Sequence, residues 1–320
     1  MSPATLPRPA RHNRLLTVSR ADGAWSDGAV GDLPDLLHAG DLLVVNDAAT
    51  LPASIAAVAP DGSALELRLA GPIDEGRAVV FGAGSWRRPT ELRAAPPRLT
   101  PGDILHVAGV PVPVRAVDPD HPRLVSVDLD PRLVWAHGVP VQYSYMGRPL
   151  RLADVQVPYA GAPWAVEMPS AGRPLGGALV RRLRDAGVGI ARLTHAAGLS
   201  ATGDAALDAA LPLPERYAVP EETWDAVQRA DRVVAVGTSV VRALESAARG
   251  ALSGVTDLRV GADTTLRVVD GLLSGMHEPG ESHFQLMAAF VDLGLLRRVC
   301  EHAAEAGYRN HEFGDATLLL

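Results

Sequence analysis

"RVVAVGTSVVRALESAARG", residues 232–250, switches pattern part-way along. Arg232 to Val236 reads as a strand, an apolar run rich in β-branched residues. Gly237 interrupts it, two hydroxyl residues follow, and a helix carrying Arg242 in its first turn takes over. Strand, glycine turn and helix in succession form the repeating unit of α/β proteins. The pattern recurs on both sides. "GGALVRRLRDAGV" (176–188) places Ala178, Leu179, Leu183 and Ala186 at helical spacing and stops at Gly187. "GIARLTH" (189–195) reads as a strand ending in His195. "PEETWDAVQRA" (220–230) has a helix's opening proline and first-turn acids. "TLRVVDGLLSGM" (265–276) is strand-like, and "FQLMAAFVDLGLLRRVCEHAAEAGY" (284–308) reads as one or two helices. Upstream, "DLLVVND" (41–47) is a short buried strand broken at Asn46-Asp47. The alternation predicts a largely parallel sheet.

The pattern changes between about 51 and 150. Short alternating segments such as "LELRLA" and "RLVSVDLD" are separated by "PDG", "GAG", "PPRLTPGD" and "DPDHPR". Regular short strands with Gly/Pro punctuation predict a small all-β barrel or sandwich, with no helix beyond about two turns.

Composition narrows the chemistry. The 320 residues suffice for one large domain or two ordinary ones. All 30 basic residues are arginine, so Schiff-base lysine chemistry and a Walker A loop are both excluded. A net charge of −7 argues against a broadly basic nucleic-acid surface, though a local arginine patch remains compatible with it. No secretory h-region or membrane-length apolar run is evident. Cys300 is the lone cysteine, which excludes an internal disulfide framework and makes the cytoplasm the default compartment.

Four motifs carry polar chemistry. "MHEPGESHF" (276–284) fails as a zincin helix, because the second histidine position is Glu281 and Pro279-Gly280 breaks the helix. Ser282 and Gln285 instead fit a capping box, with His277 in the preceding loop. The Gly237–Thr238–Ser239 turn sits where α/β sheets bind ligands, and Arg242 is placed to clamp a carboxylate. His195 closes a strand before a Gly/Ser/Thr loop and suits acid/base work. Asp47 ends another strand, as a turn-former or a base. Each also reads as ordinary structure: a capped surface loop, a strand–helix turn, a structural histidine.

"GDLLVVND" with "LPA", "VPYAGAPWAVEMPSAG", "VVAVGTSVVRALESAA", "RVVDGLLSGMHEPGES" and "GYRNHEFGDATLLL" occur in one order. Together they resemble the S-adenosylmethionine:tRNA ribosyltransferase-isomerase family of queuosine biosynthesis, over roughly 31–55 and 150–320. The resemblance implies an α/β main domain (1–55 plus 151–320) interrupted by a barrel-like domain (56–150). It implies S-adenosylmethionine as a co-substrate giving up its ribosyl group, no metal, and transfer to the 7-aminomethyl-7-deazaguanine (preQ1) base of tRNA, forming epoxyqueuosine. His195, His277 and Asp47 fall at the matching positions for acid/base work. Gly237, Thr238, Ser239, Arg242, Ser170 and Gly172 fall at those for the co-substrate.

The chain also departs from the pattern. Asn46-Asp47-Ala48-Ala49 stands where members read Asn-Asp-Thr-Arg, and Pro169-Ser170-Ala171-Gly172-Arg173-Pro174 stands for Pro-Thr-Ala-Gly-Leu-His. His277-Glu278-Pro279-Gly280-Glu281-Ser282 replaces His-Leu-Pro-Lys-Ser-Thr. Acid in that loop repels RNA phosphate within a Debye length of roughly 8 Å, and Arg148, Arg151 and Arg173 offset it in part. Two further readings follow: the same donor chemistry on a small amine, and an S-adenosylmethionine-binding protein without turnover.

Overall fold

The computed structural model describes residues 1–9 and 12–320. The elements β1 (Ser2–Pro3), β2 (Arg14–Val18), β3 (Trp25–Ala29), α1 (Leu33–Leu36) and β4 (Asp41–Asn46) come first. Then follow β5 (Ser54–Val58), β6 (Ala64–Leu69), β7 (Arg77–Gly82), β8 (Ile104–Val107), β9 (Val110–Val117), β10 (Leu124–Val127) and α2 (Pro131–His137). The remainder is α3 (Gly177–Asp185), β11 (Gly189–His195), α4 (Ala205–Ala210), β12 (Glu215–Ala218), α5 (Glu221–Arg229), β13 (Arg232–Val236), α6 (Thr238–Ala247) and β14 (Ser253–Thr256). It ends with β15 (Gly271–Gly275), α7 (Ser282–Met287), α8 (Leu293–Glu305), β16 (Arg309–Asn310) and β17 (Ala316–Leu319).

Nine strands form one sheet in the order β14-β12-β11-β4-β13-β15-β17-β2-β3. The centre, β11-β4-β13-β15, is parallel, with Leu193 opposite Asn46 and Val236 opposite Val45. The flanks are mixed: β12 and β14 pair antiparallel on one side, β17 and β3 close antiparallel pairs on the other. The expected largely parallel sheet is therefore parallel only at its core, with antiparallel pairs in both flanks.

Both faces of the centre are covered, which explains its continuous apolar sequence. Leu42 and Val44 of β4, Val233 and Ala235 of β13, and Leu272 of β15 pack into one core with α5, α6, α7 and α8. The alternating Leu43, Val45, Val234, Val236 and Leu273 pack into the other, with Leu33 of α1 and Leu183 of α3.

Strands β5 to β10 close a six-stranded antiparallel barrel, running from Ser54 to Val127. The main domain contributes to its core: Val166, Leu199 and Leu207 pack with Leu67, Val79 and Val134. That contact presses the loops after β11 against the barrel wall. No described helix is long and apolar enough to cross a membrane.

Candidate functional site

A cavity of about 300 Å3 opens at the carboxyl ends of β11, β13 and β15. Its apolar wall includes Met168, Leu199, Leu211, Leu258, Val260 and Leu286. Its polar groups come from separate segments that the sheet brings together.

The turn after β13 supplies the first. Gly237 has φ +96°, a conformation that costs any other residue strain, and its N–H donates to Leu273 O at 2.8 Å. Thr238 and Ser239 line the cavity at the start of the ten-residue α6, where the first amides have no helical carbonyl to reach. Arg242 stands at the fifth helical position, one turn further than the sequence suggested.

Asn46, just inside the end of β4, holds these strand ends in place. Its Nδ2 donates to His195 O (2.9 Å) and Ser239 Oγ (3.3 Å). Its Oδ1 accepts from the backbone N–H of Ala48 and of His195, both at 3.0 Å. Asn46→Ala leaves the N–H groups of Ala48 and His195 without their acceptor, and we expect a loss of about 2–3 kcal/mol in urea denaturation.

The 276–284 loop supplies the third group. Ser274 Oγ lies 2.9 Å from His277 Nε2, and His277 Nδ1 lies 3.2 Å from Glu281 Oε2. The His283 ring stacks on His277 at 4.7 Å, tilted by 11°. Burial and the adjacent His277 push His283 down to about 3, so it is neutral. Burial raises the Glu281 carboxyl, but hydrogen bonds from His277 and the Glu278 N–H outweigh it and leave it below its ordinary value. The Cys300 thiol donates to His277 O at 3.3 Å, and burial pushes it up to about 11. The expected capping box does not form: Glu281, not Ser282, is the cap residue of α7, and no side chain caps it. Glu281 turns back to His277 instead.

The buried pair of Arg242 and Glu215 forms the next layer. Arg242 donates to Glu215, to Leu258 O (2.8 Å) and to Thr256 O (3.3 Å). Glu215 also accepts from Gly198 N–H at 2.6 Å. Arg242 reaches the cavity wall, with three of its five N–H donors directed to Glu215 and two carbonyls.

Two carboxyls face the cavity from other segments. Glu167 precedes the Ser170–Gly172 turn, and Glu312 precedes β17. Burial pushes both above the ordinary carboxyl value, and the neighbouring Glu167 raises Glu312 further. A raised folded-state value means that folding holds a proton the unfolded chain releases, so stability falls as pH rises through the folded value. Glu312→Gln removes this dependence. Between about pH 5 and about pH 9 its stability should fall less than wild type's, by on the order of 1–3 kcal/mol.

The expected residues divide by position. Ser170, Gly237, Thr238, Ser239, Arg242 and His277 line the cavity. His195 lies behind the wall, wholly buried, with Nε2 3.5 Å from Glu215 Oε2 and neither ring nitrogen hydrogen-bonded among the described residues. Burial and the Arg242 charge hold it well below the ordinary histidine value, so it is neutral. Asp47 points away from the cavity and accepts from Thr194 Oγ1 at 2.7 Å. Gly172 packs under Tyr159, where a Cβ would collide with the hydroxyl. Residues 237–239, the 277–282 segment and the loop after His195 therefore contribute to one cavity, while the Asp47 and His195 side chains do not reach it. Arg148 and Arg151 both grip Asp154, and Arg173 lies over the Phe313 ring. Motif reading missed Asn46, Glu167, Glu215 and Glu312. The signal for Glu167 was an acid set in the apolar run "WAVEM".

A family model described as "Queuosine biosynthesis protein" matches residues 2–319. The S-adenosylmethionine:tRNA ribosyltransferase-isomerase of Thermus thermophilus is 34% identical, over 96% of this chain and 92% of its own. The protein of the same name from Rubrobacter xylanophilus is 34% identical, over 98% and 92%. A crystal structure of S-adenosylmethionine tRNA ribosyltransferase from Thermotoga maritima shares the fold, with a TM-score of 0.55 and 24% identity over 99% of this chain and 96% of that one.

Proposed function

Because the chain belongs to the queuosine biosynthesis protein family, we propose that it is an S-adenosylmethionine:tRNA ribosyltransferase-isomerase. It moves the ribosyl group of S-adenosylmethionine onto the aminomethyl group of the preQ1 base in tRNA, and isomerises it to the epoxycyclopentanediol of epoxyqueuosine. The observation that carries this reading is the cavity itself. It sits at the strand ends and is walled by Ser170, Gly237–Ser239 and His277, which the family resemblance singled out. The compartment that fits such a substrate is the cytoplasm.

The residues divide the work as follows. The free amides opening α6 and the Thr238 and Ser239 hydroxyls hold an acceptor-rich part of the co-substrate, its ribose or carboxylate. His277 is the acid/base group. Glu281 accepts a hydrogen bond from Nδ1–H, which leaves Nε2 as the acceptor facing Ser274 and the cavity. Arg259, the other arginine on the wall, is the cation for the methionine carboxylate: it donates to Ala209 O and Ala210 O but, unlike Arg242, pairs with no described carboxylate. His195 acts only through Glu215, and Asp47 through the β4–β11 connection.

The test is release of adenine and methionine from S-adenosylmethionine, followed by chromatography with and without preQ1-containing tRNA. Release that needs the tRNA is the expected result. Binding without any release contradicts the enzyme assignment. A second reading, a small primary amine as acceptor, is favoured by one observation: Arg148 and Arg151, the arginines that would offset the acidic loop toward RNA, are held by Asp154. Release driven by small amines and not by tRNA selects it.

A further inference from the structure

Neither Glu167 nor Glu312 forms a contact ion pair with a described residue. Glu167 is only 8% exposed, yet among the described residues it has no ion pair. Its Oε2 accepts from the Ser200 N–H at 3.2 Å, and the Ser200 hydroxyl also favours its charged form. Arg68 of β6, the cation that acts on Glu167, pairs through Nε with Glu66 at 2.5 Å, and its Nη2 has no hydrogen-bond partner among the described residues. Glu312 has Ser170 as its hydrogen-bonding neighbour, and Glu167 and Glu281 as like charges. Tyr143 and Tyr145 feel both carboxyls and stack on each other at 5.4 Å, with His311 stacked on Tyr145 at 4.6 Å. Holding the buried Glu167 and the half-buried Glu312 near each other as like charges is costly, and natural sites relieve that cost with a shared proton or a bound cation.

We propose that Glu167 and Glu312 form the subsite for the acceptor's primary amine, holding its ammonium group and taking the proton that must leave before nitrogen can attack. The proposal rests on the ribosyl-transfer reading and names the groups that activate the nucleophile. An alkylammonium is fully protonated at neutral pH and has no lone pair. Between the two carboxyls it supplies a counter-charge in contact. One N–H proton passes to a carboxylate oxygen, leaving a neutral amine and a carboxylic acid. The nitrogen lone pair then forms the bond to the ribose 5′ carbon, the C5′–S pair returns to sulfur as the methionine thioether, and the second ammonium proton leaves to the other carboxylate. The burial that raises both carboxyls makes them strong enough bases for this task. His277 stays with the ribose, because Ser274 and Glu281 fix its ring.

The test compares two ligands that differ only in the 7-substituent, the free base 7-aminomethyl-7-deazaguanine and its uncharged 7-cyano analogue, by calorimetry on the intact protein. Wild type should bind the amine about 10- to 100-fold more tightly, the effect of a charge-assisted contact. Glu167→Gln and Glu312→Gln, shown to be folded by circular dichroism, should each bring that ratio towards one, with S-adenosylmethionine affinity retained. Equal affinity of wild type for the two ligands, or no binding of the amine, overturns the subsite without needing any variant. So does a preference that survives in both folded variants. The two readings fail separately. Adenine release by wild type with no amine preference removes the subsite and leaves the transferase, whereas a clear preference with no adenine release under any acceptor does the reverse.

Discussion

Arg242→Met will unfold at a much lower urea concentration than wild type, losing about 3–5 kcal/mol with the slope of the transition unchanged. Arg242 and Glu215 are 4% and 7% exposed, so neither is screened by water. Without the guanidinium, Glu215 keeps only the Gly198 N–H and sits as an uncompensated charge beside neutral His195. Leu258 O and Thr256 O lose their donor in the same change. Methionine retains most of the volume, so the loss reports electrostatics more than packing. The double variant Glu215→Gln with Arg242→Met should recover a large part of it, because the stranded charge is gone. A single variant as stable as wild type would show that the pair does not hold α6 to β12.

His277→Ala will slow adenine release by about 100- to 10,000-fold while S-adenosylmethionine affinity changes little. The imidazole is the one acid/base side chain on the cavity wall fixed from both sides, by Ser274 Oγ at 2.9 Å and Glu281 Oε2 at 3.2 Å. Glu281→Gln should cost less, since a neutral amide still accepts from Nδ1 but stabilises the imidazolium poorly. An unchanged rate in His277→Ala would reduce the residue to an anchor for α7.

The central strands were legible in the sequence for a simple reason. β4, β13 and β15 are buried on both faces, so Leu42–Val45 and Val233–Val236 carry no polar residue to blur them. The glycine at 237 was equally readable, because only that residue takes φ +96° at no cost. The barrel was visible as punctuation between short alternating strands. What the sequence could not show was direction. His195 and Asp47 stand at strand ends, where catalytic groups are common, but the pleat turns His195 behind Glu215 and Asp47 towards Thr194. The partners of Arg242 were not legible because Glu215 and the carbonyls of Thr256 and Leu258 lie 14 to 27 residues away and meet it only in the fold. Glu167 and Glu312 are 145 residues apart (312 minus 167), and no local pattern announces that they share one cavity. The sheet's antiparallel flanks were missed because β12, β14 and β17 are only four residues long.

The most direct measurement is a crystal structure of the protein with S-adenosylmethionine. The expected result is one molecule in the 300 Å3 cavity, its adenosyl group against Gly237–Ser239 and its ribose within hydrogen-bonding reach of His277. Density for the ligand elsewhere, such as the groove beside Tyr159 and Arg192, with the strand-end cavity filled by water, would contradict the account.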